Sequence, residues 1–268
     1  MGATDWIEIG RMDDLARLDT PMHRLDARAK IIVTLAFIGV VMSFPPHALS
    51  ALTPFLFFPL VLIYGARIPM GPIVKKILLA MPFALAVGIF NPFLDRRPVL
   101  AIGPVTITGG WMSFTSILVR FLLTAGAALA LVACTGMVRL ASALGQLGVP
   151  RVFVVQLLFL HRYLFVVAQE GRNVLRSVTL RSSGTRSLNL GVYGSLTGNL
   201  LLRSMDRATR VYRAMMARGF DGEIRLVHPH QVRWIDGAFI AGWLAFFALG
   251  RTWNLAGGLG HWLTGVIP

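Results

Sequence analysis

Five apolar runs alternate with short polar or basic stretches along the chain. Helices that cross a bilayer need roughly 20 apolar residues, so runs of this kind predict transmembrane helices. The first run reaches this length when its helix starts at Ala27–Lys30 and the charged ends snorkel, and Pro54 and Pro59 are tolerated in a membrane helix. Alternating apolar residues with Gly and Pro predict an extended or hairpin-like loop over 95–110. The predicted spans are Ile31–Phe44, Ala48–Tyr64, Ile77–Leu94, Trp111–Ala133 and Ile235–Leu249.

Residues 135–233 differ from these runs, because their apolar residues are periodic and arginines recur every few positions. The pattern predicts a short amphipathic helix over Val138–Gly148 and a long helix from Arg151 to about Arg181. A third helix lies within 195–222, started by Thr197 or Asn199 and ended by Gly219. One face of this helix carries Leu201, Met205, Ala208, Tyr212 and Met215, and roughly the opposite side carries Arg203, Arg207, Arg210 and Arg218.

Composition and charge support a membrane protein with a defined orientation. The chain is 55% hydrophobic and only 14% charged. Of its 26 lysines and arginines, five lie in residues 1–30, three in 65–76 and fourteen in 135–233, so 22 lie on one predicted side. By the positive-inside rule, the N-terminus and residues 135–233 are predicted to be cytoplasmic. The net charge of +14 is therefore attributed to orientation in the lipid bilayer, and no nucleic-acid partner is expected.

The predicted fold is an all-α membrane protein with about five transmembrane helices. A cytoplasmic domain of long amphipathic helices is expected between the last two spans. The corresponding segments are residues 1–134 for the N-terminal segment and four-span bundle, residues 135–233 for the cytoplasmic helices, and residues 234–268 for the last span and a Trp- and Gly-rich tail.

Candidate catalytic and metal-binding groups are few. Cys134 is the one cysteine, and His228 and His230 form only half of a possible metal site. The predicted spans contain almost no acidic residue, which argues against a proton- or cation-coupled carrier. Arg120 is the one charge expected inside a span, with a structural role favoured over snorkelling. We therefore expect no catalytic residue, no metal site and no cofactor.

Two helix ends carry an arginine beside small or apolar residues, in Leu180-Arg181-Ser182 and in Ala217-Arg218-Gly219. A guanidinium group at such an end can enter a groove and pair bidentately with a carboxylate of a partner. Two ends of the same kind fit a partner with two similar docking surfaces, such as a dimer of ATPase subunits.

The run from Asp206 to Gly222, with Ala217-Arg218-Gly219 near its end, closely resembles the coupling region of a known membrane family. This family is the transmembrane T component of energy-coupling factor (ECF) transporters, and the resemblance is closest to its cobalt-transport member, CbiQ. The resemblance covers roughly residues 20–250, and three further stretches carry it: Leu25–Lys30, Leu147–Pro150 and His161–Phe165.

The resemblance implies a non-catalytic coupling subunit of an ATP-driven importer. Each of two X-Arg-X motifs would dock a coupling helix into one of two copies of a cytoplasmic ABC ATPase subunit. The motifs map onto Leu180-Arg181-Ser182, with Arg176-Ser177 as the alternative register, and onto Ala217-Arg218-Gly219. A separate substrate-specific integral membrane subunit, similar to CbiM, would capture the ion, and a small accessory membrane subunit is compatible with this assembly.

The resemblance further implies cobalt as the substrate, with nickel as its rival, and the bacterial cell (inner) membrane as the location. Two other functions are weighed against it. An autonomous metal-ion or solute carrier or channel would need ionisable residues that converge on a midplane site. A membrane enzyme such as a lipid-modifying transferase would need a nucleophile, a base or a metal cluster.

Overall fold

The protein is an all-α membrane protein, and its described residues include one pair of antiparallel strands. The computed structural model describes residues 20–45, 50–94, 98–102, 105–181, 190–222 and 233–252. The elements follow in the order α1 (Pro21–Arg24), α2 (Ala27–Met42), a 3₁₀ helix (Ser50–Leu56), α3 (Phe57–Gly65), α4 (Met70–Gly88), α5 (Asn91–Leu94), β1 (Pro98–Ile102), β2 (Val105–Thr108), α6 (Gly109–Thr135), α7 (Met137–Gln146), α8 (Arg151–Arg181), α9 (Leu190–Met216) and α10 (Trp234–Thr252).

The described chain packs as two compact units. The bundle unit comprises residues 20–140 and 233–252, and the helix-pair unit comprises residues 141–222. The chain passes between the units at 7/8, 140/141 and 229/230, and of these boundaries only 140/141 lies within the described ranges. These units are defined by packing and not by membrane topology, so the segments 1–134, 135–233 and 234–268 stay a prediction.

Aromatic rings from several helices form the core of the bundle unit. Phe37 of α2 and Phe247 of α10 are 0% and 1% exposed, and their ring centroids lie 5.6 Å apart. Phe58 lies 4.7 Å from Phe37 and meets Trp243 edge to face at 4.9 Å. These contacts fix α2, α3 and α10 around a shared apolar centre.

The second predicted span begins as a 3₁₀ helix. Leu52, Phe55 and Phe58 are fully buried and spaced three residues apart, which is the period at which side chains of a 3₁₀ helix eclipse one another. Pro54 lies within this helix, where it removes a backbone donor. Regular α-helix resumes at Phe57 and continues to Gly65.

The hairpin-like form predicted within 95–110 is confirmed for residues 98–102 and 105–108, whereas Gly109 and Gly110 already belong to α6. Strands β1 and β2 pair antiparallel, with Ile102 opposite Val105 and a register irregularity between Pro98 and Leu100. The third span differs from its predicted bounds of Ile77–Leu94, because α4 runs from Met70 to Gly88 and contains Lys75 and Lys76. Both lysines lie in α4, before its main apolar stretch. Because the prediction started the span after these two charges, it placed the start of the helix too late.

By length and composition, three described helices are long and apolar enough to cross a membrane: Met70–Gly88, Gly109–Thr135 and Arg151–Arg181. The first two correspond to the third and fourth predicted spans. The third lies in the region predicted to be cytoplasmic. Its N-terminal half is as apolar as a span, while Arg172, Arg176 and Arg181 lie in its C-terminal half.

Candidate functional site

Helices α8 and α9 contact each other within the helix-pair unit. Arg203 Nη1 donates to Glu170 Oε1 at 3.0 Å. Leu200 packs over Gly171, where an added Cβ would lie 3.6 Å from Leu200 Cδ2. Because both side chains of the ion pair are partly exposed, it contributes at most about 1 kcal/mol. The pair therefore fixes register more than it adds stability.

An apolar groove of about 680 Å³ continues this contact between the N-terminal half of α8 and the C-terminal half of α9. Residues 152–167 of α8 face residues 204–215 of α9 across it, whereas residues 170 and 171 meet residues 200 and 203. Higher numbers on one helix therefore match lower numbers on the other, and the pair is antiparallel. The α9 side of the groove consists of Ser204, Arg207, Ala208, Val211, Tyr212 and Met215.

The faces of α9 differ from the prediction. Arg203 contacts Glu170 of α8, and Arg207 lines the groove, so these arginines do not lie opposite the packed face. Leu201 and Met205, which were predicted to be on the apolar face, are both 61% exposed. The packed face of α9 is therefore rotated relative to the predicted one. It includes Ser204 and Val211 in addition to Ala208 and Met215 of the predicted face.

The start of α9 also lies earlier than predicted. The helix begins at Leu190, so Thr197 and Asn199 are interior residues and do not cap it. The Thr197 hydroxyl donates to the Tyr193 carbonyl at 2.8 Å, and the Asn199 side-chain oxygen accepts from Arg203 Nε at 3.2 Å. Each polar side chain thus bonds four residues along the helix, an alternative that competes with capping.

The C-terminal end of α9 has the hydrogen bonds of a Schellman motif, and Gly219 ends the helix as predicted. The Phe220 N–H donates to the Met215 carbonyl, and the Gly219 N–H donates to the Met216 carbonyl, both at 3.0 Å. Gly219 has φ +77, the left-handed conformation that this motif requires and that glycine adopts without a Cβ penalty. Phe220 and Met215 both line the groove. Arg218 is therefore held at a fixed point, as the last residue before the reversal.

The two predicted docking motifs occupy exposed helix ends. Arg181 is the last residue of α8 and Leu180 is 75% exposed, whereas Ser182 lies outside the described residues. Ala217, Arg218 and Gly219 are exposed. Among the described residues, neither guanidinium group has a hydrogen bond or an ion pair. Both charges are thus available to a partner.

The structure places the two arginines far apart. Arg181 follows Glu170 by 11 residues and Arg218 follows Arg203 by 15, and the antiparallel arrangement sends these two segments in opposite directions. At 1.5 Å per residue, the separation is on the order of 30 to 40 Å. The two motifs therefore lie at the two ends of one helix pair.

Two aspartates, a lysine and a histidine of the bundle unit are buried, and their burial was not predicted. Asp236 is 3% exposed and accepts the Asp26 N–H at 2.8 Å and the Arg233 N–H at 2.8 Å. Lys30 is 1% exposed, and its Nζ donates to the Cys134 carbonyl at 3.4 Å. The expected snorkelling of Lys30 is therefore wrong: its ammonium group binds the carbonyl end of α6, where the helix dipole favours a cation. The buried set is His23, Asp26, Lys30 and Asp236.

The structural role favoured for Arg120 is confirmed, because its Nη2 donates to the carbonyl oxygens of Phe44 and Pro45, both at 2.9 Å. The histidine pair His228 and His230 lies outside the described residues.

Comparison with known proteins agrees with the resemblance. The chain matches the CbiQ family, described as cobalt transport protein, over residues 19–229. The uncharacterized protein MJ1571 of Methanocaldococcus jannaschii is 27% identical over 240 residues, which cover 84% of this chain and 80% of that protein. The matched region includes both arginine motifs and the buried residues from His23 to Lys30. The chain belongs to the cobalt transport protein family CbiQ and is a membrane component of cobalt transport.

Proposed function

We propose that the protein is the transmembrane coupling subunit of an energy-coupling factor importer for cobalt ions. In this function, two copies of a cytoplasmic ABC ATPase subunit dock on Arg181 and Arg218. The helix-pair unit carries their ATP-driven movement to the membrane helices. A separate integral membrane subunit, similar to CbiM, captures the ion. The protein itself hydrolyses no nucleotide.

The observation that carries this proposal is the arrangement of the two arginine ends. Each guanidinium group is exposed, lacks a bonding partner within the described ranges, and stands at a defined helix end. The antiparallel pair holds the two ends on the order of 30 to 40 Å apart, which suits two partners better than one pocket. Arginine at such an end can form a bidentate pair with a carboxylate on each partner.

Charge distribution supports a cytoplasmic position for the N-terminus and for residues 135–233, and hence for the docking sites. The bacterial cell (inner) membrane is the proposed location, as the family resemblance implies. Cobalt as the transported ion rests on the family, and nickel is the rival that uptake measurements must test.

Affinity purification of the tagged full chain from its native membrane in mild detergent tests the proposal. Mass spectrometry of the eluate should identify an ABC ATPase and a second integral membrane protein. The same eluate should hydrolyse ATP, whereas the isolated chain should not. A stable, monodisperse protein that elutes alone and transports Co²⁺ in liposomes without ATP would contradict the coupling function and support an autonomous carrier.

A further inference from the structure

Residues Thr20–Lys30, which we call the anchor segment, bind three separate parts of the bundle unit through backbone and side-chain polar groups. The His23 carbonyl accepts from Arg139 Nη1 at 3.0 Å. The Asp26 N–H donates to Asp236 Oδ1 at 2.8 Å. Lys30 Nζ donates to the Cys134 carbonyl at 3.4 Å. The anchor segment therefore connects α6, α7 and α10.

The partners of the anchor segment lie close in sequence to two of the three boundaries between the units. Cys134 and Arg139 precede the connection at 140/141, and Asp236 follows the connection at 229/230. Displacement of the helix-pair unit is passed along the chain at these boundaries, because the chain is continuous across them. One short segment thus binds residues that flank two of them.

The break between α6 and α7 lies inside this arrangement. Gly136, with φ +76, separates the two helices. Lys30 binds the last turn of α6 before this glycine, and the His23 carbonyl binds α7 after it. A glycine in the left-handed region is a position at which the chain can change direction. The anchor segment therefore fixes the angle at which α7 leaves α6.

Four of the residues that make these contacts have buried side chains, so the geometry of the contacts is narrowly defined. His23, Asp26, Lys30 and Asp236 are each less than 5% exposed. A buried charged group costs free energy unless it is paired or hydrogen-bonded, so removing a partner of Lys30 or Asp236 carries a large penalty. Small rearrangements at this place are thus resisted, and movement of α7 is passed to α10 together with the anchor segment.

We propose that the anchor segment is the joint through which movement of the helix-pair unit reaches the membrane helices, with Arg139 and Asp236 as positioning residues. This inference rests on the proposed coupling function. If the anchor segment is such a joint, breaking one of its contacts should reduce the coupling of ATP hydrolysis to transport. If the contact is merely structural, breaking it should reduce stability or assembly instead.

The experiment uses the full complex, purified with its ATPase partners and reconstituted in liposomes. ATP hydrolysis and ATP-driven Co²⁺ uptake are measured on the same preparation, and their ratio is compared among variants. Arg139→Met and Asp236→Asn should lower the uptake per ATP hydrolysed by at least about fivefold, the lower end of usual coupling between sites. Arg139→Lys, which keeps a donor for the His23 carbonyl, should restore part of the ratio.

Arg120→Met is the matched control, since Arg120 is also an arginine of the bundle unit that donates to backbone carbonyls, but it binds neither connecting stretch. This variant should lower the thermal midpoint of the complex and leave the ratio unchanged. An unchanged ratio in assembled Arg139→Met and Asp236→Asn complexes would overturn the inference. So would an equal fall in the control, or loss of assembly in place of loss of coupling. Failure of the unmodified chain to bind an ATPase would instead refute the proposed function.

Discussion

Arg120 Nη2 donates to the carbonyl oxygen of Phe44 at 2.9 Å, across 76 residues of sequence. Phe44 follows the last turn of α2, where carbonyl groups have no partner within the helix. Arg251 of α10 reaches the same place, since its Nη2 donates to the Ser43 carbonyl at 3.2 Å. Its guanidinium group lies 4.6 Å from the centre of the Phe44 ring. Two arginines from different helices thus complete the end of α2.

Arg120→Met should lower the free energy of unfolding by about 1 to 3 kcal/mol, because it leaves the Phe44 and Pro45 carbonyls without their charged donor. Thermal unfolding in detergent, followed by size-exclusion recovery, measures the loss. Arg251→Met is the comparison: Arg251 and Ser43 are both exposed, so leaving the Ser43 carbonyl without this donor should cause a smaller loss. Equal losses in the two variants would contradict this account.

Arg218→Glu should weaken binding of the ATPase by more than about tenfold, because reversing a docked charge leaves two like charges in contact. The measurement is a titration of immobilised protein with purified ATPase subunit. Arg210→Glu on the same helix is the control, since Arg210 is exposed, outside the motif and likewise without a bonding partner in the described chain. If Arg210→Glu weakens binding equally, general charge and not the motif is responsible.

Arg181→Glu tests the second end independently. The two ends lie far apart, so each single variant should retain one docking site and the double variant with Arg218→Glu should retain none. The stoichiometry of bound ATPase per chain should fall from two to one and then to none. Undiminished binding in the double variant would remove the docking role of both arginines. Arg176→Glu, the alternative register on α8, should have the smaller effect.

Gly219→Ala should destabilise the end of α9 by about 1 to 2 kcal/mol, because alanine pays a Cβ penalty in the left-handed conformation. Gly219→Asn should cost less, since asparagine tolerates this region. ATPase binding should fall together with stability, because Arg218 directly precedes the reversal. Gly198→Ala in the same helix is the control. No atom lies within 4 Å of its added Cβ, so improved helix propensity should leave stability unchanged or raise it.

Gly250→Ala should destabilise the bundle unit by about 1 to 3 kcal/mol through overpacking. The added Cβ would lie 3.2 Å from Phe55 Cζ. The Phe55 ring is held by Phe44 and Phe247, at centroid distances of 5.3 and 6.0 Å, and so cannot move aside cheaply. Thermal unfolding should show no such loss for Gly242→Ala, where the added Cβ meets nothing within 4 Å. A larger loss at Gly242 would refute the packing argument.

Local patterns predicted the elements whose limits are set by local chemistry. The long helix α8 begins after Pro150 and matches its predicted bounds, and Gly219 ends the third helix because only the left-handed region closes the motif there. The hairpin was visible from alternation and turn residues. The exposed arginine ends could be identified for the same reason, because each depends on a few adjacent residues.

Contacts between distant residues could not be read in this way. Asp236 looks like an ordinary charged residue at the start of a span, and only its hydrogen bond to Asp26, 210 positions away, explains its burial. Lys30 likewise was expected to reach water, because no local pattern shows that the Cys134 carbonyl lies beside it. The face of α9 was misjudged since its neighbour, α8, decides which side is packed.

The antiparallel helix pair also has unequal lever arms. Measured from the contact between Glu170 and Arg203, the arm that ends in Arg218 is four residues longer than the arm that ends in Arg181. Equal strokes applied at the two ends would therefore turn the pair by different angles. Two ATPase partners of identical sequence would then move the helix pair by different amounts. In the proposed importer, the two ATP-driven movements would be unequal even though the two ATPase subunits are identical.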